Sequence, residues 1–241
     1  MITLAAALAL LVCAPAAAAV PDRIVVITDS HGVGSFGEAL EAWLRARPDT
    51  DWDFFAAGGS APRQWASSRW TTPCGYHATS AGPAVKRACR EETVPHLDEL
   101  WAAQPAGTSK TRRVTIIAHG TNYALDAKAS EAASTLPLLK AAFKASDVCV
   151  WIGPPNMTRS PGFDASGVAY KYSIIEAALA AAKKTGHVCS LVDSRPLSSY
   201  PKLGGDGIHY HWLKTKDPDS LSQGPKWGAA VAAKLDALLP R

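Results

Sequence analysis

The chain has 241 residues, 47% of them hydrophobic, and a net charge of +4 from 25 basic and 21 acidic side chains. That length and composition suit one α/β domain with a sizeable core. The mild charge and the lack of any run of Lys and Arg argue against a nucleic-acid partner.

The N-terminus carries an uncharged apolar run over residues 2–20, and small residues crowd its end. The run is short for a membrane-spanning helix, so it predicts a signal peptide over residues 1–19 and a single domain over residues 20–241. An uncleaved membrane anchor is the alternative. We therefore expect a secreted or periplasmic protein with no stable membrane insertion after cleavage.

Five segments are predicted to be strands. The first, Ile24–Thr28, is β-branched at every position, which favours a strand buried on both faces. The others are Trp52–Ala57, Val114–Ala118, Val148–Ile152 and Val188–Val192. Because they alternate with helical patterns, we predict a three-layer αβα, flavodoxin-like domain with a five-stranded parallel sheet in the order 2-1-3-4-5.

Helices are predicted between and after these strands, where apolar residues recur at helical spacing. They lie at Gly34–Arg47, Val94–Ala103, Ala132–Ala145, Ala169–Lys184 and Gly228–Leu239. Each is long enough to cover one face of the predicted sheet.

Four cysteines follow the predicted signal peptide, and an even number in an exported chain indicates disulfides. Cys74 and Cys89 lie close together in an irregular insertion at residues 61–92. Cys149 and Cys189 lie in two strands that we expect to be neighbours. We therefore expect the pairs Cys74–Cys89 and Cys149–Cys189, with the two other pairings and four free thiols as alternatives.

Polar residues follow the strands where the sheet would open to solvent. Ser30 follows the first strand, Gly59 the second and Asn122 the third, and Asp206 and His209 lie in the loop after the fifth. The strand order brings these loops to one edge. A nucleophilic serine needs a histidine base oriented by a carboxylate, which Asp206-x-x-His209 supplies. The N–H groups of Ser30 and Gly59 and the amide of Asn122 predict an oxyanion hole.

The same residues have plainer interpretations. Ser30 would suit a helix N-cap, and Gly58 is an alternative to Gly59 as the backbone donor. His209 and His211 could bind a metal, but no third ligand stands at suitable spacing, so we expect none.

The order of these motifs resembles the SGNH hydrolase family, also called GDSL esterases and lipases: Asp-Ser, then Gly, then Gly-x-Asn, then Asp-x-x-His near the C-terminus. The resemblance covers nearly the whole mature chain. It implies that Ser30 is the nucleophile, His209 the general base and Asp206 its orienting partner, with no cofactor. Thr28, where the family usually has Gly, and Tyr123, where Asp is commoner, indicate a divergent branch.

We therefore expect a monomeric, secreted serine esterase that acts through an acyl-enzyme on a small-molecule or polysaccharide ester. Trp65, Trp70 and Trp212 lie in loops that could border the serine, and indoles stack on sugar faces. This favours a carbohydrate or peptidoglycan O-acetylesterase. The alternatives are a lysophospholipase, lipase or thioesterase for longer acyl chains, and a non-catalytic carbohydrate-binding domain.

Overall fold

The computed structural model describes residues 21–73, 75–81, 91–104, 111–210 and 216–240. Strands and helices alternate along these ranges. In chain order they are β1 (Asp22–Thr28), α1 (Ser30–Val33), α2 (Ser35–Arg45), β2 (Thr50–Ala57), β3 (Thr71–Thr72), β4 (Tyr76–Ser80), β5 (Glu92–Thr93), α3 (Leu97–Ala102), β6 (Arg112–Ala118), α4 (Lys128–Ala145), β7 (Val148–Ile152), α5 (Ala165–Lys183), β8 (Cys189–Val192), α6 (Pro218–Leu221) and α7 (Gln223–Leu238).

The main sheet has six described strands in the order β4-β2-β1-β6-β7-β8. Its five parallel strands keep the predicted order 2-1-3-4-5, which confirms the α/β fold class. The prediction of five strands was wrong, because β4 pairs antiparallel with β2 at the edge. The insertion at residues 61–92 was expected to be irregular because it is rich in Ser, Thr, Gly and Pro, and β4 lies within it.

The sheet is covered on both faces, as a three-layer αβα domain requires. Ile24 and Val26 of β1 pack against α2 and α7, whereas Val25 and Ile27 point to the opposite face and pack with α3, α4 and α5. Each of these four side chains is fully buried or nearly so, and such burial contributes about 1.5–3 kcal/mol apiece. The first strand therefore lies at the centre of both cores.

Some helix boundaries differ from the predicted ones. Val94 was expected to begin a helix, but its N–H donates to Trp70 O at 2.9 Å, and α3 begins only at Leu97. α4 begins at Lys128, four residues earlier than the predicted Ala132. The prediction placed the start too late because the first turn of the helix is polar and shows no apolar periodicity.

The Cys149–Cys189 disulfide joins β7 to β8. The two residues are register partners in these neighbouring strands, with Cα atoms 4.6 Å apart, so this predicted pair is confirmed. Cys74, Cys89 and the predicted signal peptide at residues 1–19 lie outside the described residues.

Among the described helices, none combines the length and the apolar character that a bilayer crossing requires.

Candidate active site

A continuous hydrogen-bonded chain joins Ser30, His209 and Asp206. Ser30 Oγ lies 2.9 Å from His209 Nε2, and His209 Nδ1 lies 2.7 Å from Asp206 Oδ2. An ionised carboxylate accepts only, so Nδ1 donates to Asp206 and Nε2 is left to accept from the Ser30 hydroxyl. This is the tautomer that a histidine needs in order to take a proton from a serine.

Asp206 is held as a carboxylate by its hydrogen bonds. Partial burial raises its pKa, but bonds from the His209 ring and from the N–H groups of His209 and Ile208 outweigh this and lower the pKa to about 2. The same bonds wrap the turn around the carboxylate, so one group both shapes the loop and orients the imidazole.

Tyr200 fixes the turn that carries the two residues. Its hydroxyl accepts from Gly207 N–H at 2.7 Å and donates to His209 O at 3.3 Å. Gly207 has a φ of +83°, in the left-handed region that favours glycine. The sequence analysis did not single out Tyr200, because a tyrosine nine residues before a histidine carries no recognisable spacing.

Ser30 is the first residue of α1, at the carboxyl end of β1. The helix is capped not by Ser30 but by Asp29, whose side chain accepts from His31 N–H at 3.0 Å. The Ser30 hydroxyl is therefore left to His209. Close packing shapes the turn further, because a Cβ on Gly32 would lie 1.8 Å from Thr28 Oγ1.

The residues that carry the three predicted oxyanion donors, Ser30, Gly59 and Asn122, line one cleft with His209. Ser30 N–H is at the start of α1, where backbone donors have no intrahelical partner. Gly58 N–H donates to Gly75 O at 3.1 Å, whereas no hydrogen bond among the described residues takes up Gly59 N–H. This distinction favours Gly59 over Gly58. Asn122 lines the same cleft.

Ser60 holds two of these donors in place, and the sequence analysis missed it. Its carbonyl accepts from Asn122 Nδ2 at 2.8 Å, which leaves the second amide hydrogen of Asn122 for a ligand. Its hydroxyl donates to Ala57 O and accepts from Trp65 Nε1. Because Ser60 is fully buried, this network fixes Asn122 against the loop that carries Gly59.

Asp29 links the Ser30 loop to the Asn122 loop. Its buried carboxylate takes hydrogen bonds from His31 N–H and from the side chain and N–H of Thr121. Burial nevertheless dominates and raises the pKa of Asp29 to about 6. Asp29 therefore positions the two loops at a cost in desolvation.

The cleft over Ser30 has a volume of about 240 Å³ and mostly apolar walls. Val33 and Gly75 both line this cleft. Trp70 borders the cleft, since its indole lies 3.5 Å from where a Cβ on Gly59 would be. Trp65 is fully buried and does not face the cleft, and Trp212 lies outside the described residues.

Two further histidines flank the site. His31 is buried behind the imidazole, with its ring centroid 5.7 Å from that of His209. His119 is buried against Trp65, and burial lowers its pKa to about 3, so it stays neutral. Both are wall residues rather than a second base. His211 lies outside the described residues.

No family model and no curated protein sequence matches the chain. Solved structures do match its fold. A carbohydrate acetylesterase from Sinorhizobium meliloti has a TM-score of 0.56 at 15% identity, over 90% of this chain and 100% of that one. An aryl esterase from M. smegmatis has a TM-score of 0.55 at 14% identity, over 90% and 100%. A member of the lipolytic G-D-S-L family from Veillonella parvula has a TM-score of 0.52 at 11% identity, over 91% and 99%.

The fold is therefore that of the SGNH, or GDSL, hydrolases. Identities of 11–15% make the chain a divergent example of that fold.

Asp29 generates a prediction about stability. Its carboxylate has a pKa of about 6 in the folded protein, against ~3.9 unfolded, so folding takes up a proton between these values. The wild type therefore loses stability as pH rises through this window, whereas Asp29→Asn has no charge to lose. We expect the free energy of unfolding of Asp29→Asn, minus that of the wild type, to rise by about 2 kcal/mol between pH 4.5 and 6.5.

Urea unfolding at several pH values would measure this difference. Asp164→Asn is the matched control. Asp164 is not buried, and hydrogen bonds from the N–H of Gly167 and the hydroxyls of Ser166 and Ser160 lower its pKa to about 2. Its titration therefore lies below the range from pH 4.5 to 6.5. A difference for Asp29→Asn that stays flat, or falls with pH, would show that the Asp29 carboxylate is not strained by burial.

Proposed function

We propose that the protein is a secreted serine esterase that removes a short acyl group, such as acetyl, from a carbohydrate through an acyl-enzyme. The observation that carries this proposal is the hydrogen-bonded chain from Ser30 through His209 to Asp206, in a cleft that Gly59 and Asn122 also line. A serine hydroxyl is a weak nucleophile at neutral pH, and a base in this geometry is what activates it.

In the first step His209 Nε2 takes the proton of Ser30 as Oγ attacks the ester carbonyl. The N–H groups of Ser30 and Gly59 and the free amide hydrogen of Asn122 stabilise the tetrahedral oxyanion. His209 then gives its proton to the departing alkoxide, and the acyl group stays on Ser30. In the second step His209 deprotonates a water, which releases the carboxylic acid and restores the hydroxyl.

A short acyl group fits the size of the cleft. Among the described residues the cavity over Ser30 holds about 240 Å³, below the roughly 300–1,000 Å³ typical of ligand pockets, so it suits a small group better than a long chain. This argues against the lysophospholipase, lipase and thioesterase alternatives.

A carbohydrate substrate is supported by Trp70, which presents part of its indole at the rim of the cleft beside Gly59. The solved structure from Sinorhizobium meliloti, a carbohydrate acetylesterase, points the same way at the level of the fold. Export is supported by the Cys149–Cys189 disulfide, since such bonds persist in oxidising compartments.

Ser30→Ala tests the nucleophile. Without Oγ no acyl-enzyme can form, so we expect kcat for 4-nitrophenyl acetate to fall by roughly 10⁶-fold, the loss typical of a removed serine nucleophile. We also expect a fluorophosphonate probe to label the wild type and not the variant. Ser35→Ala is the matched control, because Ser35 lies five residues further on and packs against Gly224 rather than in the cleft.

Near-wild-type hydrolysis by Ser30→Ala would refute Ser30 as the nucleophile. Failure of the folded wild type both to hydrolyse the ester and to react with the probe would favour the non-catalytic binding domain.

Asn122 tests the oxyanion hole. We expect Asn122→Ala to lower kcat for 4-nitrophenyl acetate by about 10²- to 10³-fold with little change in KM, because the donor acts on charge that develops in the transition state. Asn122→Asp has nearly the same shape but lacks the donor, so it should lose at least as much. Retention of activity by Asn122→Asp would exclude the amide as an oxyanion donor.

The acyl length can be read from a series of 4-nitrophenyl esters. We expect kcat/KM to be highest for acetate and to fall steeply by octanoate, because a cleft of about 240 Å³ offers a longer chain little room. Val33 lines the cleft, so Val33→Ala should raise the octanoate-to-acetate ratio by enlarging it. A wild type that prefers octanoate would contradict the assignment of a short acyl group.

A further inference from the structure

Arg159 places a positive charge in the cleft that the proposed reaction does not use. It lines the same cavity as Ser30, Asn122 and His209, and its side chain is exposed. Its guanidinium carbon lies 4.9 Å from the centroid of the Phe163 ring, which lines the cleft with it. An aromatic face under a guanidinium stabilises the cation while leaving its N–H groups free to bind.

The Arg159 guanidinium is not paired with a carboxylate among the described residues. Asp164, the carboxylate nearest in sequence, caps α5 through Gly167 N–H and the Ser166 hydroxyl. Asp206 is bonded to His209. Within the residues that the structure describes, no carboxylate forms a salt bridge with Arg159, whereas Arg23, Arg45, Arg47, Arg63, Arg69, Arg112 and Arg195 all have one.

The backbone of Arg159 is fixed to the turn that carries the general base. The N–H groups of Thr158 and Arg159 donate to Gly207 O at 2.8 and 3.1 Å. A Cβ on Gly207 would lie 2.7 Å from that of Arg159, so the two segments are in close contact. The position of Arg159 relative to His209 is therefore set by short, direct contacts.

This attachment indicates which part of a substrate Arg159 meets. In the proposed reaction His209 protonates the departing alkoxide, so the alcohol part of the ester lies on the side of His209. Arg159 is anchored on that side through its bond to Gly207 O, two residues before His209. The positive charge of Arg159 is thus placed to contact the alcohol part of the ester and not its acyl part.

We propose that Arg159 is a specificity residue that binds an oxyanion, a carboxylate or a phosphate, on the alcohol part of the substrate. The inference rests on the proposed esterase function and narrows its substrates to esters of acidic alcohols, such as acetylated uronates or acetylated sugar phosphates. A guanidinium has planar, paired donors that match both oxyanions, and a neutral sugar would leave this charge without a partner.

The first test uses a matched pair of acetates, 4-acetoxybenzoate and the uncharged 4-acetoxybenzamide. The ratio of their kcat/KM values measures recognition of the anion, and differences in intrinsic reactivity cancel when variants are compared. We expect Arg159→Gln to lower the acid-to-amide ratio by about 10- to 100-fold, the usual effect of removing a charged hydrogen-bond partner. Arg159→Lys, which keeps the charge but not the paired donors, should fall between the two.

Lys140→Gln is the control, because Lys140 is exposed on α4 and its loss changes the net charge equally. An equal ratio in wild type and Arg159→Gln, or an equal loss in Lys140→Gln, would overturn the proposal. 4-Nitrophenyl hemisuccinate carries its carboxylate on the acyl group, and 4-nitrophenyl butyrate is its uncharged counterpart. If Arg159 were needed to prefer the hemisuccinate over the butyrate, but not to prefer 4-acetoxybenzoate over the benzamide, the assignment of Arg159 to the alcohol part would be overturned. Hydrolysis of none of these esters by folded wild type would instead refute the esterase function itself.

A second comparison separates the two oxyanions. One pair is an acetylated uronate oligosaccharide with free or methyl-esterified carboxylates, and the other is an acetylated sugar phosphate with or without its phosphate. We expect an Arg159-dependent preference for the charged member in at least one pair, and the pair with the larger effect identifies the natural anion. No such preference in either pair would refute anion recognition.

Discussion

The hydrogen bond between Ser30 Oγ and His209 Nε2 joins residues 179 positions apart, and the arrangement of the site depends on it. Neither residue can be brought to the other by local structure. The parallel sheet does this, because each strand delivers its following loop to the same edge. Ser30 is set by β1, the centre of both cores, and His209 by a turn wrapped around Asp206. The packing of the whole domain therefore keeps Ser30 Oγ and His209 Nε2 within 2.9 Å of each other.

The turn after β1 shows how a departure from the family pattern is accommodated. Where SGNH hydrolases usually have glycine, this chain has Thr28, whose side chain occupies space that a Cβ at Gly32 would need. The Thr28 hydroxyl donates to Asp29 O, so the larger residue also satisfies a buried carbonyl. Glycine at position 32 therefore leaves the space that the Thr28 side chain occupies, and α1 can lie close to the end of β1.

The parts of the fold that sequence reasoning could reach are those with strong local signals. The β-branched run of β1 and the alternation of strands and helices predicted the parallel core, and the order of polar residues after the strands predicted which ones would meet. The edge strand β4 was not predicted, because it is defined by its pairing with β2, which lies far from it in sequence, and its own residues show no strand pattern. The roles of Ser60 and Arg159 were not predicted for the same reason. Ser60 acts through its contact with Asn122 and Arg159 through its contact with Gly207, and both partners are distant in sequence.

The structure buries two groups of opposite charge, Asp29 beside Ser30 and Lys171 of α5. Burial raises the pKa of Asp29 to about 6 and lowers that of Lys171 to about 8, although each charge favours ionisation of the other group. Both groups are therefore ionised together only between these values. Lys171 also donates to Tyr123 O, next to Asn122, and its ammonium lies 4.5 Å from the centroid of the Phe163 ring.

Tyr123 stands where the family more often has aspartate, and the difference suits its buried surroundings. Its hydroxyl shares a hydrogen bond with Thr135 of α4, and burial raises its pKa, so it stays neutral. An aspartate would add a carboxylate near the buried Glu131, whose Oε1 accepts from Ala124 N–H, and like charges in a dry site oppose ionisation. The neutral tyrosine avoids this repulsion and ties the Asn122 loop to α4.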